Sequence, residues 1–395
     1  MTKRKRGVMG HYLLLAPVVA TLLVVTTWTL AGQAKGFSAA PNAGAVRRVA
    51  DAVAVWQVSH LDDLSYVTRL PEHAEFSRGW VQASLYIGLE RWARVARSDA
   101  LSAKVLAWAE ANDFRLGDRL MHADDHAVAQ VYLALRRDGL AGDEALTSVR
   151  AYFDAILAAP PTVALDFVPT YPDASCTARW CWSDALFMGP PAWAQLSAVT
   201  GDPRYRDYAD REFRAAADYL FDKDAGLFFR DSRFFGQHGQ FGEKLFWSRG
   251  NGWAYAGILH MLDALPRDDS ARIFYQRLFM RMSAALLRAQ AKDGFWRSSM
   301  LALRSQPEAS GTAFVVYGMQ RGVALGLLDG QTYRPAILRA WSALVGAVSP
   351  EGRLGRVQQI GDAPDEVRPE STQLYGAGGF LLAASAIYED AMTRR

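Results

Sequence analysis

The stretch DPRYRDYADREFRAAADYLFDKDAGLFF, residues 202–229, decides the fold class. Apolar residues recur at three- and four-residue spacing from Asp202 to Phe221 with charged residues between them, the pattern of a helix that buries one face and solvates the other. A short turn containing Gly226 follows, where a helix can end in the left-handed conformation, and then an apolar and aromatic run. AKDGFW (291–296) and SPEGRLG (349–355) repeat that punctuation after other charged helices.

A second kind of helix alternates with the first. RGNGWAYAGILHMLDAL (249–265), GTAFVVYGMQRGVALGLL (311–328) and LYGAGGFLLAASAIYEDA (374–391) are rich in Gly and Ala and poor in charge, as closely packed inner helices would be. Outer and inner helices pair into hairpins that recur roughly every fifty to sixty residues, longer than the common solenoid repeats. Five or six such hairpins fit between residue 45 and the C-terminus, and no Ser- or Pro-rich linker separates them. The expected architecture is one all-α domain over residues 45–395, a closed ring that covers every inner helix.

The 395 residues are half hydrophobic, enough for a large core. The formal charge is +3, but Lys3, Arg4, Lys5 and Arg6 fall within residues 1–31, which hold no acidic residue, leaving about −1 for the remainder. Such a body lacks the basic stripe that phosphate-backbone contacts need, which argues against a nucleic-acid partner. The leader, residues 1–35, joins its tetrabasic start to an apolar run of about 20 residues and reads as an export signal. It is either cleaved or retained as a membrane anchor with its basic end in the cytoplasm. The expected location is therefore outside the cytoplasm: periplasmic, anchored to the outer face of the inner membrane, or secreted. Cys176 and Cys181 are the two cysteines, too few for a metal cluster, and their spacing fits either a local disulfide or two buried thiols.

Two acidic positions stand out. In LMHADDHAVAQVYLAL (120–135), Asp124 and Asp125 stand where a loop enters an inner-type helix, between His122 and His126. In RWCWSDALFMGPPAW (179–193), Asp184 opens an apolar helix beside Trp180, Trp182 and Phe187. An Asp at a helix start is most often a cap, but the starts of inner helices in a ring line one mouth, which would bring the two positions together. His122 and His126 have the spacing of a helical ligand pair, yet no third ligand motif follows them, so neither a metal nor another cofactor is expected. Trp80, Trp180, Trp182, Trp247, Trp253 and Trp296 fall in connecting segments, and flat apolar faces beside carboxylates suit a sugar ring. In FWSRGNGW (246–253), Arg249 and Asn251 lie between two tryptophans, and two glycines let the backbone bend.

FWSRGNGW, CWSDALFMGPPAWAQLSAVTGDPRY (181–205), ADDHAVAQVYLAL (123–135) and EASGTAFVVYGM (308–319) together resemble the unsaturated glycuronyl hydrolases: glycoside hydrolase family 105, the unsaturated rhamnogalacturonyl hydrolases, and the related family 88. The likeness runs from about Trp80 to Tyr388. It implies an (α/α)6 barrel of six helical hairpins, in agreement with the ring. It also implies a hydrolase of unsaturated uronyl oligosaccharides, rhamnogalacturonan or pectin lyase products preferred, that hydrates the C4=C5 double bond. The resemblance puts the principal catalytic aspartate on Asp184 and the second on Asp125. It puts substrate contacts on Trp247, Arg249 and Trp253, with Arg249 meeting the uronate carboxylate. Trp182, Asn251, His126 and Arg230 complete the expected substrate-binding set. A His that relatives carry after the turn is replaced here by RDSRFFG (230–236), with Arg230 and Asp231, and His238 is the substitute imidazole a few residues on. Three other readings use the same residues: a conventional glycosidase with Asp125 and Asp184 as acid and base, a polysaccharide lyase, and a non-catalytic glycan-binding protein.

Overall fold

Residues 202–220 fold as their pattern predicts. Asp202 accepts a hydrogen bond from the Arg204 amide and Pro203 occupies the first turn, so the helix Pro203–Leu220 begins with a side-chain cap and a residue that has no amide to leave unpaired. Tyr205, Tyr208, Ala209, Glu212, Phe213, Ala216, Ala217 and Leu220 form its buried face, at the helical spacing. The left-handed glycines are present but lie beyond the helix ends. The chain leaves this helix in extended conformation at Phe221, and Gly226 (φ 72°) turns it between strands β1 (Phe221–Asp222) and β2 (Leu227–Phe228). Gly294 (φ 92°) likewise precedes β3 (Trp296–Arg297), which pairs with β4 (Pro307–Glu308). Gly226 makes a hairpin turn and Gly294 a turn ahead of β3, where the sequence suggested helix caps, because extended residues intervene first.

A computed structural model describes residues 36–170, 173–302 and 304–394, and the chain from Gly36 onward clusters as one unit. The apolar leader, residues 1–35, lies outside the described residues. Among the described residues twelve long helices carry the fold: α1 (Ala43–Ser59), α2 (Trp80–Ala96), α3 (Asp99–Ala111), α4 (Val128–Arg137), α5 (Glu144–Ala158), α6 (Pro190–Thr200), α7 (Pro203–Leu220), α8 (Ser248–Ala264), α9 (Arg272–Ala289), α10 (Ala309–Ala324), α11 (Gly330–Gly346) and α12 (Leu374–Thr393). The even-numbered helices form the inner ring, each packing on the next, and α12 closes it against α2. Each later odd-numbered helix packs outside the inner helix that precedes it, and α1 packs on α12. Six outer–inner pairs result, as the hairpin pattern and the family resemblance both implied. Among the described residues no helix is long and apolar enough to cross a membrane.

The small residues of the inner helices are required by close approach. Gly88 on α2 and Gly378 on α12 face each other where these helices cross: a Cβ on Gly88 would sit 2.3 Å from the Gly378 carbonyl oxygen, and one on Gly378 would sit 2.1 Å from the Ser84 carbonyl oxygen. Both contacts are with backbone, which cannot swing aside. Gly378→Ala is therefore expected to lower stability by about 1–3 kcal/mol, the cost of overpacking, although Ala favours an isolated helix by about 1 kcal/mol. A urea titration checks this, the expected result being a lower midpoint with an unchanged slope.

Antiparallel outer–inner pairing puts the N-terminal ends of all six inner helices at one mouth. The segments that enter α4, α6 and α8 there are 117–127, 176–189 and 236–247, and these carry the acidic and aromatic motifs.

Candidate active site

Asp184 precedes the short helix Ala185–Met188, which leads into α6. The Ser183 amide donates to the Arg230 carbonyl at 2.8 Å, which ties this segment to the one after β2, and Ser183 Oγ donates to Asp184 Oδ2 at 3.0 Å. The first turn of α8 passes so close that a Cβ on Gly250 would lie 2.8 Å from Ser183 Oγ and 3.6 Å from Asp184 Oδ2. Arg230 Nε stands 3.9 Å from Asp184 Oδ2 and has no hydrogen-bond partner. The Asp184 side chain keeps 13% of its surface open. Burial pushes its proton affinity above the ordinary carboxylate value, and Arg230 and Arg249 oppose that rise.

The carboxylate that is open beside Asp184 is Asp124, where the sequence reading expected Asp125. Asp125 is buried and takes three hydrogen bonds from Arg119: from the amide at 2.7 Å, Nε at 3.1 Å and Nη2 at 2.6 Å. It holds the loop before α4 together and faces away from the opening. Asp124, one residue earlier in the short helix Ala123–His126, has 18% of its side chain exposed, with Arg119 Nη2 at 3.9 Å and His122 Nδ1 at 3.7 Å. Its pKa is raised to about 7, first by burial; Arg119 opposes the rise, and the neighbouring charges of Asp125 and Asp184 add to it.

Four other expected substrate contacts are buried supports. Arg249 is 0% exposed; Nη1 donates to the Gln358 carbonyl at 2.8 Å, and Nη2 to those of Gln359 (3.1 Å) and Gly361 (3.4 Å). Its guanidinium lies between the Trp247 and Tyr375 rings, 4.3 and 4.6 Å from their centroids. The fork expected to meet a sugar carboxylate is thus committed to backbone. Trp247 donates through Nε1 to Gln358 Oε1, and Trp253 packs on Phe314 and Phe187, so both tryptophans form the layer under the mouth. Asn251 accepts from the Phe228 amide and donates to the Phe228 and Trp247 carbonyls, pinning β2 to α8.

His126 is also internal. Trp193 Nε1 can only donate, so His126 Nδ1 accepts and Nε2 carries the proton bonded to the Leu120 carbonyl at 2.9 Å. Burial lowers its pKa to about 4, and it is a neutral brace. His238 is exposed in a turn bridged to Lys244 and makes no contact with Asp184 or Asp124 among the described residues. Among those residues no group of three or more His, Cys, Asp or Glu is placed to hold a metal ion.

Of the expected set, the structure brings together Asp184, Arg230 and Trp182, with Asp124 in place of Asp125. The Trp182 ring lies 6.0 Å from the Arg230 guanidinium and 4.8 Å from the His122 ring. Phe167, which no motif marked, adds an aromatic wall 5.3 Å from the Arg230 guanidinium. Cys176 and Cys181 are joined in a disulfide across the short 3-10 turn Ser175–Arg179, just ahead of Trp182.

The sequence profile of Glycosyl Hydrolase Family 88 matches residues 49–390. The chain belongs to glycosyl hydrolase family 88. This family 88 protein is 41% identical over 355 residues to an unsaturated 3S-rhamnoglycuronyl hydrolase of Alteromonas sp. strain LOR, covering 86% of the chain and 84% of that relative. A glycosyl hydrolase family 88 structure from Bacteroides vulgatus shares the fold with a TM-score of 0.76 at 24% identity, covering 88% of this chain and 99% of that one. A solved polysaccharide lyase is 28% identical with a TM-score of 0.72, covering 88% and 98%. The matched span of the family profile contains every residue described above, from the Asp124 loop to the segment held by Arg249. The family 88 neighbours carry the (α/α)6 barrel that the family resemblance implied and that agrees with the ring of hairpins, and the chain is a glycoside hydrolase.

Proposed function

We propose that this family 88 hydrolase acts on an unsaturated uronic acid joined to rhamnose, hydrating the C4=C5 double bond with Asp184 as the proton carrier and Asp124 as the second carboxyl. One observation carries the assignment of roles: both carboxyls are partly open and of raised proton affinity, but the arginine beside Asp184, Arg230, has a nitrogen without a partner 3.9 Å from it, whereas Arg119 beside Asp124 is bonded to Asp125 and Asp173. The name of the Alteromonas relative supports the rhamnose-linked substrate, and among the rhamnogalacturonan and pectin lyase products expected from the family resemblance it favours those that contain rhamnose.

In this reading protonated Asp184 gives its proton to C4, and the cation developing at C5 takes the oxygen of a water whose proton returns to Asp184. The hemiketal at C5 opens by breaking its bond to the ring oxygen. The hemiacetal so formed at C1 then expels the neighbouring sugar. Burial promotes proton retention on Asp184, and the charge of Asp184 in turn helps Asp124 to hold its own proton. Arg230 meets the substrate carboxylate and is drawn off Asp184 as it does so. A panel of unsaturated disaccharides, with rhamnose bearing or lacking a 3-O-sulfate and with galacturonan and glycosaminoglycan counterparts, tests substrate and reaction together. Loss of ultraviolet absorbance supports hydration, unchanged absorbance with cleavage indicates an ordinary glycosidase, and new absorbance from intact polymer indicates a lyase, as in the structurally similar lyase.

Arg230→Lys keeps the charge but loses the planar fork, and a charge-assisted contact of this kind is worth roughly 1.5–3 kcal/mol. The apparent KM for the free uronate should rise by roughly 10- to 100-fold. The methyl ester, already a poorer substrate, should suffer much less; equal damage to acid and ester would remove Arg230 from carboxylate recognition.

We also propose that residues 1–35 direct export, by cleavage or as an anchor to the outer face of the membrane. The Cys176–Cys181 bridge supports an oxidising compartment. Mass measurement of the native chain separates a cleaved leader from a retained one.

A further inference from the structure

Arg230 belongs to a row of alternating charges. Its Nη1 donates to Asp231 Oδ2 at 2.7 Å, and the same carboxylate takes three bonds from Arg233: from the amide at 3.0 Å, Nε at 2.8 Å and Nη2 at 2.7 Å. Asp231 is 0% exposed, so these two arginines are its counter-ions. Arg233 Nη2 also donates to Asp362 Oδ2 at 2.8 Å. The row therefore runs Asp362, Arg233, Asp231, Arg230, Asp184, with both guanidiniums over the Phe167 ring at 4.2 and 5.3 Å. Asp362 lies on the strap between α11 and α12. That strap is fixed from its other side, where Arg249 and the Tyr375 hydroxyl bond to the Gln358 carbonyl. The remaining charges facing Asp184 are Arg249 from α8 and Asp124 from the short helix Ala123–His126, with Arg119 and His122 behind Asp124.

We propose that Asp362 is a positioning residue of the active site: by holding Arg233 it keeps Asp231 shared between two arginines, and so fixes the place of Arg230 and the charge balance around Asp184. Without its carboxylate, Arg233 would rest on Asp231 alone, Arg230 would lose part of its hold on Asp231 and turn toward Asp184, and the row would gain one net positive charge. Both changes favour ionised Asp184. The kinetic consequence rests on the hydration reading, in which Asp184 must carry a proton. Activity then falls as pH rises through the Asp184 titration, and loss of the Asp362 charge moves that fall to lower pH.

The test compares wild type, Asp362→Asn and Asp362→Glu in the full chain by two measurements. One is the pH profile of kcat/KM on an unsaturated uronyl disaccharide; the other is the carboxyl-carbon NMR titration of Asp184, its signal assigned by Asp184→Asn. Asp362→Asn is expected to move both the alkaline limb and the titration down by roughly half a pH unit, the size of a partly screened charge–charge effect, and Asp362→Glu to restore both. The Asp362 side chain is 46% exposed, so a polar replacement leaves no buried hole. A uniform loss of rate at every pH with an unmoved Asp184 titration would mean that Asp362 only props the strap, and would overturn the proposal. If wild type consumed no unsaturated substrate while the titration still moved, the reaction assignment would fall and the charge row would stand.

Discussion

Asp184→Asn is expected to slow double-bond hydration by about two to four orders of magnitude, the range ascribed to general acid–base catalysis, while substrate affinity changes little. The amide keeps the shape and the Ser183 contact but cannot deliver and recover a proton. Stability should not fall with activity. Because the folded protein raises the proton affinity of this carboxyl above its ordinary value, the group costs stability as pH rises from that ordinary value through the raised one, and Asn removes the cost. Thermal melting near neutral pH should therefore give a Tm no lower than wild type. Initial rates on the preferred unsaturated disaccharide check the chemistry, and a variant that keeps a tenth of the wild-type rate would exclude Asp184 from proton transfer.

Arg249→Met is expected to be the most damaging single change to the fold around the site. It leaves the carbonyls of Gln359 and Gly361 without the Arg249 donor and that of Gln358 with the Tyr375 hydroxyl alone, and it removes a cation stacked between Trp247 and Tyr375. Hydrogen bonds to a charged group contribute roughly 1.5–3 kcal/mol each, so a loss of about 3–5 kcal/mol follows even if part of the strap relaxes. Arg249→Lys should lie between wild type and Met, since an ammonium cannot span the same carbonyls in one plane. The signature that separates this role from sugar recognition is kinetic: any surviving Lys variant should lose rate equally on the uronate and its methyl ester. Selective damage to the free acid would return Arg249 to the substrate.

The outer helices were legible because burial on one side leaves a stripe, as on Pro203–Leu220. The inner helices were legible because close crossing leaves glycines, as at Gly88 and Gly378. The mouth could be inferred from connectivity alone, since antiparallel pairs put equivalent ends together. What the sequence could not resolve was direction. Successive residues on a helix point about 100° apart, so the choice between Asp124 and Asp125 depends on where the short helix begins to within one residue. The structure starts it at Ala123, with His122 accepting from the Asp124 amide. Arg249 was misread for a different reason: its partners lie on the strap before α12, far along the chain, and nothing in FWSRGNGW announces them. Asp362 had no local signal at all, whereas Arg230 was visible as a departure in RDSRFFG. The motifs marked the tryptophans as a group, but composition cannot tell a wall that touches ligand from the layer supporting it.

The junction between α2 and α12 joins helices from opposite ends of the chain, and that has a consequence for biosynthesis. A ribosome releases α2 long before α12 exists, so the apolar flank of α2 waits uncovered until Leu374–Thr393 emerges. Closure is a late, non-local event of the kind that slows folding and leaves intermediates prone to self-association. Loss of the final helix should therefore be far worse than its length suggests, since it strands α1, α2 and α10 together. For the cell, a chaperone that shields the first hairpins until translation ends would matter more than one that acts on the finished ring.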